Sequence, residues 1–201
     1  METINDTETT FPLPVASGGT GVTSFAYDKG IITYDSSNIV SNQYTQLDSN
    51  DILTNTKNPA FFAYKSATSN NVTGDATMYS FICDTETFDQ TSSYNNATGI
   101  FTAPKTGVYF FAAAAYCTNA DASTIEGRIG IVCSNGYNVY FSPTRDSTND
   151  TFFSNIYYEF KLTAGDTVYP TVYFYKNSAN SLNIAGGSSL ITTCFWGYFI
   201  G

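Results

Sequence analysis

The chain has 201 residues, of which 16% are aromatic and 12% are charged, and its formal net charge is −9. Histidine is absent, which excludes serine or cysteine triads that use histidine and zinc sites that contain it. The acidic balance argues against nucleic acid or an anionic membrane as a partner, because both require basic surface that displaces counterions.

The first 56 residues carry seven carboxylates against Lys29 alone. We expect an acidic anchor at residues 1–10, a fibre-like shaft or linker at residues 11–56 and a head at residues 57–201. This arm suits docking, through residues 1–25, into a basic socket on a capsid or tail protein; a solvated tail is the alternative. The residues after Met1 lack the basic and then apolar pattern of a signal peptide, and no apolar run is long enough to span a bilayer. We therefore expect synthesis in a host cytoplasm and no membrane insertion.

A glycine-rich segment, Leu-Pro-Val-Ala-Ser-Gly-Gly-Thr-Gly-Val, occupies residues 13–22. It resembles the repeat of proline-valine and then glycine-glycine-threonine-glycine that recurs in phage tail fibres and related virion fibres. Gly18, Gly19 and Gly21 would let three chains approach a common axis where side chains would clash. A thin trimeric shaft could bury the apolar residues that follow, namely Phe25, Tyr27, Ile31, Ile32 and Tyr34. A flexible linker is the alternative.

Strand patterns dominate the head, and the composition favours β-sheet and turns over helix. Runs with strand character, bounded by turn residues, are Pro59–Lys65, Met78–Asp84, Gly99–Ala103, Val108–Cys117, Ile125–Cys133, Tyr137–Phe141, Phe152–Leu162, Thr167–Lys176 and Leu190–Ile200. Such short strands without intervening helices predict an all-β jelly-roll sandwich of roughly eight to ten strands.

One stretch of the head has fixed spacing of an acidic residue, aromatics and glycines: Asp89, Tyr94, Asn96, Gly99, Phe101, Gly107, Tyr109 and Phe111. This spacing resembles the signature of the C1q-like head domain, a relative of the tumour necrosis factor fold. Three further blocks resemble the same family: Pro59–Phe61, then Leu162, Gly165, Asp166 and Val168, then Phe195, Gly197, Tyr198 and Ile200. The resemblance covers residues of about 57–201 and implies a C1q-like jelly roll that assembles as a homotrimer.

Alternation along the strands predicts which faces are buried. The strand that ends at Leu162 has one apolar and one mostly polar face, whereas the strand from Thr167 has apolar or aromatic residues on both. A monomeric sandwich with one solvated face leaves such two-sided strands without cover, so self-association is expected. The family resemblance carries a trimer axis onto four candidates: Tyr109, Phe111, Tyr173 and Tyr198. One oversized core is the alternative.

Recognition is expected in the loops, which we predict at Asn119–Ser123, Pro143–Asp150 and Asn177–Ser189. Candidate contacts with a host-surface glycan or protein are Asn119, Asp121, Tyr137, Asn138, Asp146, Asn149 and Asn180. Some C1q-like heads hold calcium among loop oxygens, which makes Asp121, Asp146 and Asp150 weak candidates for a Ca²⁺ site. Solvated turn residues are the alternative, and no other cofactor is expected.

Catalysis is not expected. Glycine-rich phosphate loops are absent, and the carboxylate pairs Asp84 with Glu86 and Asp146 with Asp150 are close only in sequence. The four cysteines, Cys83, Cys117, Cys133 and Cys194, lack zinc-binding spacing. We expect them to be buried free thiols, with a disulfide as the alternative.

The sequence thus predicts a trimeric fibre or knob on a virion surface, in which an outward-facing head attaches to a host or decorates the particle. The alternative is a C1q-like or tumour necrosis factor-like extracellular ligand or adhesin without a particle.

Overall fold

A computed structural model describes residues 30–35, 38–47, 52–120, 124–142, 150–176 and 181–201. All regular structure in these ranges is β-strand. The strands are β1 Gly30–Asp35, β2 Asn38–Leu47, β3 Leu53–Asn55, β4 Ala60–Tyr64, β5 Ser69–Thr73, β6 Asp75–Ser80, β7 Thr85–Asp89, β8 Tyr94–Asn95, β9 Ile100–Thr102, β10 Gly107–Thr118, β11 Thr124–Cys133, β12 Val139–Phe141, β13 Thr151–Leu162, β14 Thr167–Lys176, β15 Leu182–Ile184 and β16 Cys194–Phe199.

The chain divides into two units, Met1–Lys57 and Asn58–Gly201. The described part of the first unit is an antiparallel sheet with the order β1-β2-β3. Within it, Leu47 pairs with Leu53, and Asn55 Nδ2 donates a hydrogen bond of 2.9 Å to Thr45 Oγ1. The predicted shaft thus contains three strands that periodicity did not identify. The anchor at residues 1–10, the glycine-rich segment at residues 13–22, Phe25 and Tyr27 lie outside the described residues.

The second unit is a sandwich of two sheets. One sheet has seven strands in the order β5-β15-β10-β16-β4-β7, with β13 paired to the other side of β10. The other has five strands in the order β12-β11-β14-β9-β8. The predicted jelly-roll fold is confirmed, whereas the predicted loop at Asn177–Ser189 contains the short strand β15.

Aromatic rings fill the space between the two sheets. Phe61 stacks on Tyr94, with ring centroids 4.8 Å apart, and Phe101 meets Phe111 edge to face at 5.1 Å. Phe195 closes the cluster from β16, since its ring lies 5.1 Å from that of Phe61. All five side chains are buried. Ring pairs at these distances add to the stabilisation that burial of their apolar area provides.

The residues spaced from Asp89 to Phe111 form one wall of this core. Asp89 Oδ2 accepts a hydrogen bond of 2.8 Å from the Tyr94 backbone N–H, and the Tyr94 hydroxyl donates one of 2.9 Å to the Cys83 carbonyl. The Tyr109 hydroxyl donates to the Lys105 carbonyl at 2.6 Å. Each polar atom that the spacing brings to the core therefore has a partner, as burial requires. The residues of this pattern therefore have a structural role in the core.

Gly197 tests how closely β16 and β10 pack. A Cβ added at this position would lie 2.5 Å from Phe111 Cδ1 and 2.7 Å from the Phe110 carbonyl oxygen, whereas one at Gly187 would meet nothing closer than 3.4 Å. We expect Gly197→Ala to lower the free energy of unfolding by about 1–3 kcal/mol, because overpacking forces backbone shifts. Gly187→Ala is the matched control and should stay within about 0.5 kcal/mol of the parent chain. Guanidinium denaturation measures both, and equal midpoints for the two variants would contradict the packing.

Candidate functional site

Loops converge at one end of the sandwich, which we call the distal end. The Ala120 N–H donates a hydrogen bond of 2.8 Å to the Asp150 carbonyl, and Asn119 Nδ2 donates one of 3.3 Å to the Ser181 carbonyl. The buried Lys176 ammonium donates to the Asn119 carbonyl at 3.1 Å. These bonds tie together the ends of all three predicted loops. The described part of the distal end is therefore a composite region in which residues distant in sequence are joined.

The distal end does not hold every residue that the sequence suggested. Asn119 and Asp150 lie there and are exposed. The remaining candidates Asp121, Asp146, Asn149 and Asn180 lie outside the described residues. Among the residues that the structure describes, no group of three or more Asp, Glu or Cys side chains could hold a metal ion. The calcium candidates Asp121, Asp146 and Asp150 thus stay a prediction.

Tyr137 and Asn138 are placed at the opposite end, so grouping them with the distal loops is wrong. They belong to the turn between β11 and β12, where Asn138 Oδ1 accepts a hydrogen bond of 3.0 Å from the Cys133 N–H. The same turn contacts the end of β13, through Asn135 Nδ2 and the Lys161 carbonyl at 3.4 Å. Strand β11 runs the length of the sandwich between the distal end and this turn, which separates the two groups.

The four residues predicted to lie at the trimer axis occupy different parts of the sandwich. Tyr109 and Phe111 are 0% exposed and lie between the sheets, so the expectation that they form contacts between protomers is wrong. Alternation explains this, because successive residues of β10 point to opposite sides of the sheet. Tyr198 points outward and is exposed, whereas Tyr173 is half-buried on the outer side of the other sheet. The four residues therefore do not form one surface.

The outer side of the seven-stranded sheet carries the aromatic residues that alternate with the core. We call it the aromatic face. Phe110 stacks on Tyr198 at 5.2 Å and lies 6.3 Å from the Tyr157 ring, while Phe62 lies 6.0 Å from Trp196. The members of the face are Phe62, Tyr64, Phe88, Phe110, Tyr116, Phe153, Tyr157, Trp196 and Tyr198. In the part of the chain that the structure describes, no strand of the head covers this face.

A second aromatic surface follows the open edge of the sandwich, where β12 and β13 end the two sheets. A groove of about 460 Å³ lies between these strands and is lined by Tyr140, Phe141, Tyr157 and Tyr158, among others. A neighbouring groove of about 430 Å³ continues past Tyr158 toward Tyr137. Tyr158 lies on the core side of β13, yet it is half exposed because none of the other described strands pairs with that edge. We call this surface the aromatic edge.

Sequence reasoning missed most of the aromatic face because it took odd-numbered residues of β10 as the outward ones. The pairing of Phe110 with Tyr198 and of Ala112 with Trp196 decides the orientation. A signal was available in Gly197, whose missing Cβ makes room for the Phe111 ring and so places Phe111 inside. Trp196 and Tyr198 then point outward.

The four cysteines are free thiols, as expected; Cys83, Cys117 and Cys133 are buried and Cys194 is partly buried. Burial raises the pKa of Cys83 and of Cys117 far above the ordinary value for a thiol. It also raises the pKa of Cys194 to about 11, although a hydrogen bond from the Ala114 backbone acts in the opposite direction. Thiols with raised pKa values are poor nucleophiles at neutral pH.

Carboxylates of the described head take part in turn structure. Asp84 accepts hydrogen bonds from the Ser66 N–H at 2.7 Å and the Ser66 hydroxyl at 2.9 Å. Partial burial tends to raise the pKa of Asp84, but these hydrogen bonds outweigh it and lower the pKa. Asp166 Oδ2 likewise accepts from the Thr163 N–H at 2.8 Å. Both groups serve the backbone, as turn residues commonly do.

The model of the C1q domain matches residues 60–200. The chain belongs to the C1q domain family. Its sandwich is similar to the globular domain of zebrafish complement 1qA protein, with 18% identity and a TM-score of 0.50 over 71% of this chain and 98% of that chain. Two crystal structures of murine APRIL, at pH 8.5 and pH 8.0, are similar at 12% and 10% identity, each with a TM-score of 0.46 over 72% of this chain and 100% of that chain. No curated protein matches the chain.

Family membership applies to the head, and the similarity to the zebrafish domain, at its low identity, shows the fold alone. This C1q domain retains the sandwich and its aromatic core. Within the described residues, no helix has the length and apolar character needed to cross a membrane. The surfaces that could carry function are therefore the distal end, the aromatic face, the aromatic edge and the outer side of the five-stranded sheet.

The buried thiols make stability sensitive to alkaline pH. Above a pH of about 8.5 the cysteines of the unfolded chain lose protons, whereas Cys117 in the folded chain keeps its proton because burial raises its pKa. The folded state then binds more protons, so its stability falls as pH rises. Between pH 9 and 10 we expect Cys117 to account for a loss of about 1 kcal/mol. The measurement is urea denaturation under reducing conditions, and Cys117→Ala should show a shallower loss; equal slopes would contradict the assignment.

Proposed function

We propose that the chain is a non-enzymatic head that assembles as a homotrimer and presents its distal end for recognition. The observation that carries the proposal is the aromatic face, a row of rings that no described strand of the head covers. Contiguous apolar surface of this extent is unusual on a monomeric protein and is typical of an interface.

The exposed fraction of the rings in the aromatic face increases from the middle of the sheet toward its sides, as is typical of an interface. Phe62, Phe110 and Trp196 are half-buried near the middle of the sheet, and Phe88 and Tyr157 are more exposed toward its sides. Ala112, between Trp196 and Tyr157, is only 3% exposed, so the neighbouring rings already cover the sheet at its centre. A partner that docks here meets preformed ring pairs and gains mainly by removing their outer surfaces from water.

Two different aromatic surfaces favour a ring over a twofold dimer. A twofold dimer joins one patch to its own copy, so it is the arrangement expected for a single self-complementary surface. A cyclic trimer joins two different patches, so the edge of one protomer can pack on the face of the next all round the ring. Such a contact covers both surfaces, and an obligate interface of this kind buries about 2,000 Å² or more.

Assembly of this kind leaves the distal loops free to bind. Asn119 and Asp150 are exposed, and their backbones hold the loops in position through Ala120 and Ser181. Binding residues are often carried on loops that a rigid scaffold positions. The distal end is therefore the proposed site for a glycan or protein on a cell surface, with a purely structural role as the other outcome.

The finer proposal is that the trimer is the fibre or knob of a virion. It is supported by residues 13–22, which resemble virion fibre repeats, and by the excess of six negative charges in residues 1–56. An acidic arm suits attachment to a basic socket on a capsid or tail protein. The second candidate is an extracellular ligand or adhesin without a particle, and it is favoured by the C1q match, which covers the head and not the arm.

A test of attachment through residues 1–25 distinguishes the virion fibre from the free ligand. In cells that make the protein, an antibody against residues 58–201 should label purified virus-like particles in electron micrographs. Deletion of residues 1–25 should release the protein from particles without changing the number of protomers in the oligomer, because the aromatic face lies in the separate compact unit Asn58–Gly201. Absence of label from every particle fraction would favour the free ligand.

The trimer can be tested on the purified chain by light scattering. We expect a mass of three times 21.9 kDa, and a charge placed in the interface by Phe110→Glu should yield a folded protomer of 21.9 kDa. Tyr175→Glu places the same charge on the outer side of the other sheet, away from both aromatic surfaces, and should leave the trimer intact. Trp196 is the single tryptophan, so its emission should shift to longer wavelength in Phe110→Glu as water reaches the ring. A native mass of one or two protomers would overturn the trimer.

A further inference from the structure

The outer side of the five-stranded sheet carries tyrosines where the other sheet carries phenylalanine and tryptophan. Tyr169, Tyr173 and Tyr175 alternate along β14 with the buried Val168, Val172 and Phe174, so the three rings stand on the outer side at intervals of about 7 Å. Tyr140 joins them from β12, which lies two strands away. We call these four rings the tyrosine face. Tyr140 and Tyr175 are 43% and 40% exposed.

The charges that β11 contributes to the tyrosine face are balanced. Its charged residues on β11 are Arg128 and Glu126, and these two form an ion pair. The Arg128 guanidinium also lies 5.4 Å from the centre of the Tyr173 ring, so the pair is held against the aromatic surface. An electrically balanced surface offers little attraction to nucleic acid or anionic lipid. It suits a neutral ligand with hydroxyl groups, which the ion pair can both donate to and accept from.

A buried hydroxyl without a partner lies in the middle of the same face. Thr171 stands between Tyr169 and Tyr173 on the outer side of β14, is 0% exposed, and its Oγ1 has no hydrogen-bond partner. Gly130 lies opposite it on β11, and an added Cβ at Gly130 would come within 2.9 Å of Thr171 Oγ1 and would overlap the Tyr140 ring. The Tyr140 ring thus covers a small recess floored by Gly130. A buried polar group without a partner is uncommon and is often a sign of a missing ligand or water.

Hydroxylated rings distinguish this face from the aromatic face. Phenyl and indole rings suit permanent burial against another protomer, whereas tyrosine combines an apolar ring with a polar tip that stays hydrated. Sugars match the second kind of surface, because the C–H side of a pyranose packs on a ring and its hydroxyls bond to the surrounding polar groups. The face also leads directly to the distal end, since β14 ends at Lys176, one residue after Tyr175.

From these observations we propose that the tyrosine face binds a neutral oligosaccharide, with Tyr173 and Tyr175 as stacking platforms and Thr171 as a polar contact once the Tyr140 ring turns aside. This proposal rests on the proposed recognition role of the head and moves its ligand contact from the loops to the sheet. In the face-to-edge trimer, Tyr169, Tyr173 and Tyr175 belong to neither covered surface and stay in water, whereas Tyr140 also lines the aromatic edge and lies at the border between the two surfaces.

Affinity gel electrophoresis of the full chain tests the proposal. The probes are four neutral polysaccharides cast separately into native gels: dextran, mannan, galactomannan and hydroxyethyl cellulose. We expect at least one to retard the protein, with retardation equal at low and high salt because the ligand is uncharged. Tyr173→Ala and Tyr175→Ala should each weaken binding by about tenfold, whereas Tyr173→Phe should keep it because the ring remains.

Tyr137→Ala is the matched control, since it removes a ring that is 74% exposed but lies outside the tyrosine face. It should leave retardation unchanged. Failure of all four probes, retardation that vanishes in high salt, or equal binding by Tyr173→Ala and the parent chain would each overturn the proposal. Light scattering on the same samples separates this result from the trimer, because a monomer that still binds sugar would refute the assembly alone.

Discussion

Strand β10 imposes the constraint on which the rest of the head depends. It lies between β13 and β16 in the seven-stranded sheet, and its residues alternate between the core and the outside. Phe111 packs against Gly197 of β16, where any side chain larger than hydrogen would overlap its ring. Phe111 therefore lies in the interior, and Tyr109, two residues earlier on the same strand, lies there with it. Phe110 is then forced outward, where it meets Tyr198 and Tyr157. The same register that closes the hydrophobic core thus creates the aromatic face, and core formation and self-association are two results of one pairing.

The outer sides of the two sheets differ in the chemistry of their residues. The seven-stranded sheet exposes phenylalanine and tryptophan, which gain most from full removal from water. The five-stranded sheet exposes tyrosine beside the Arg128–Glu126 ion pair, which tolerates water and can bond to a polar ligand. A single protomer therefore has one outer surface suited to its own copies and another suited to something hydrated. This asymmetry is the basis for proposing assembly on one side of the sandwich and recognition on the other side and at the distal end.

The distal end shows how segments distant in sequence are held together by hydrogen bonds to the backbone. Buried Lys176 donates to the Asn119 carbonyl, and Ala120 and Asp150 are joined backbone to backbone, so residues far apart in sequence share one small region. Asn119 and Asp150 both have positive φ, at 65° and 50°, a conformation that Asn and Asp adopt more readily than most residues. Their residue types are therefore explained in part by backbone geometry, and exposure alone does not mark either as a ligand contact.

The sequence by itself determined the fold class, the main strands of the sandwich, the burial of the thiols and the family, because alternation and the spacing from Asp89 to Phe111 are local properties of the chain. It also indicated that β14 and β16 have two apolar sides.

The sequence did not determine which side of β10 faces inward, since that depends on the pairing with β13 and β16. The prediction that Tyr109 and Phe111 face a trimer axis is wrong for this reason. Nor did the sequence separate Tyr137 and Asn138 from Asn119, because the two ends of a strand are distinguished only once the strand is placed in a sheet. Short strands such as β5 and β15 were missed for the same reason: Ser69–Thr73 has little strand propensity and is extended because it pairs with Leu182–Ile184. Tertiary structure decided orientation and neighbours, since these follow from long-range pairing and not from the order of residues along one strand.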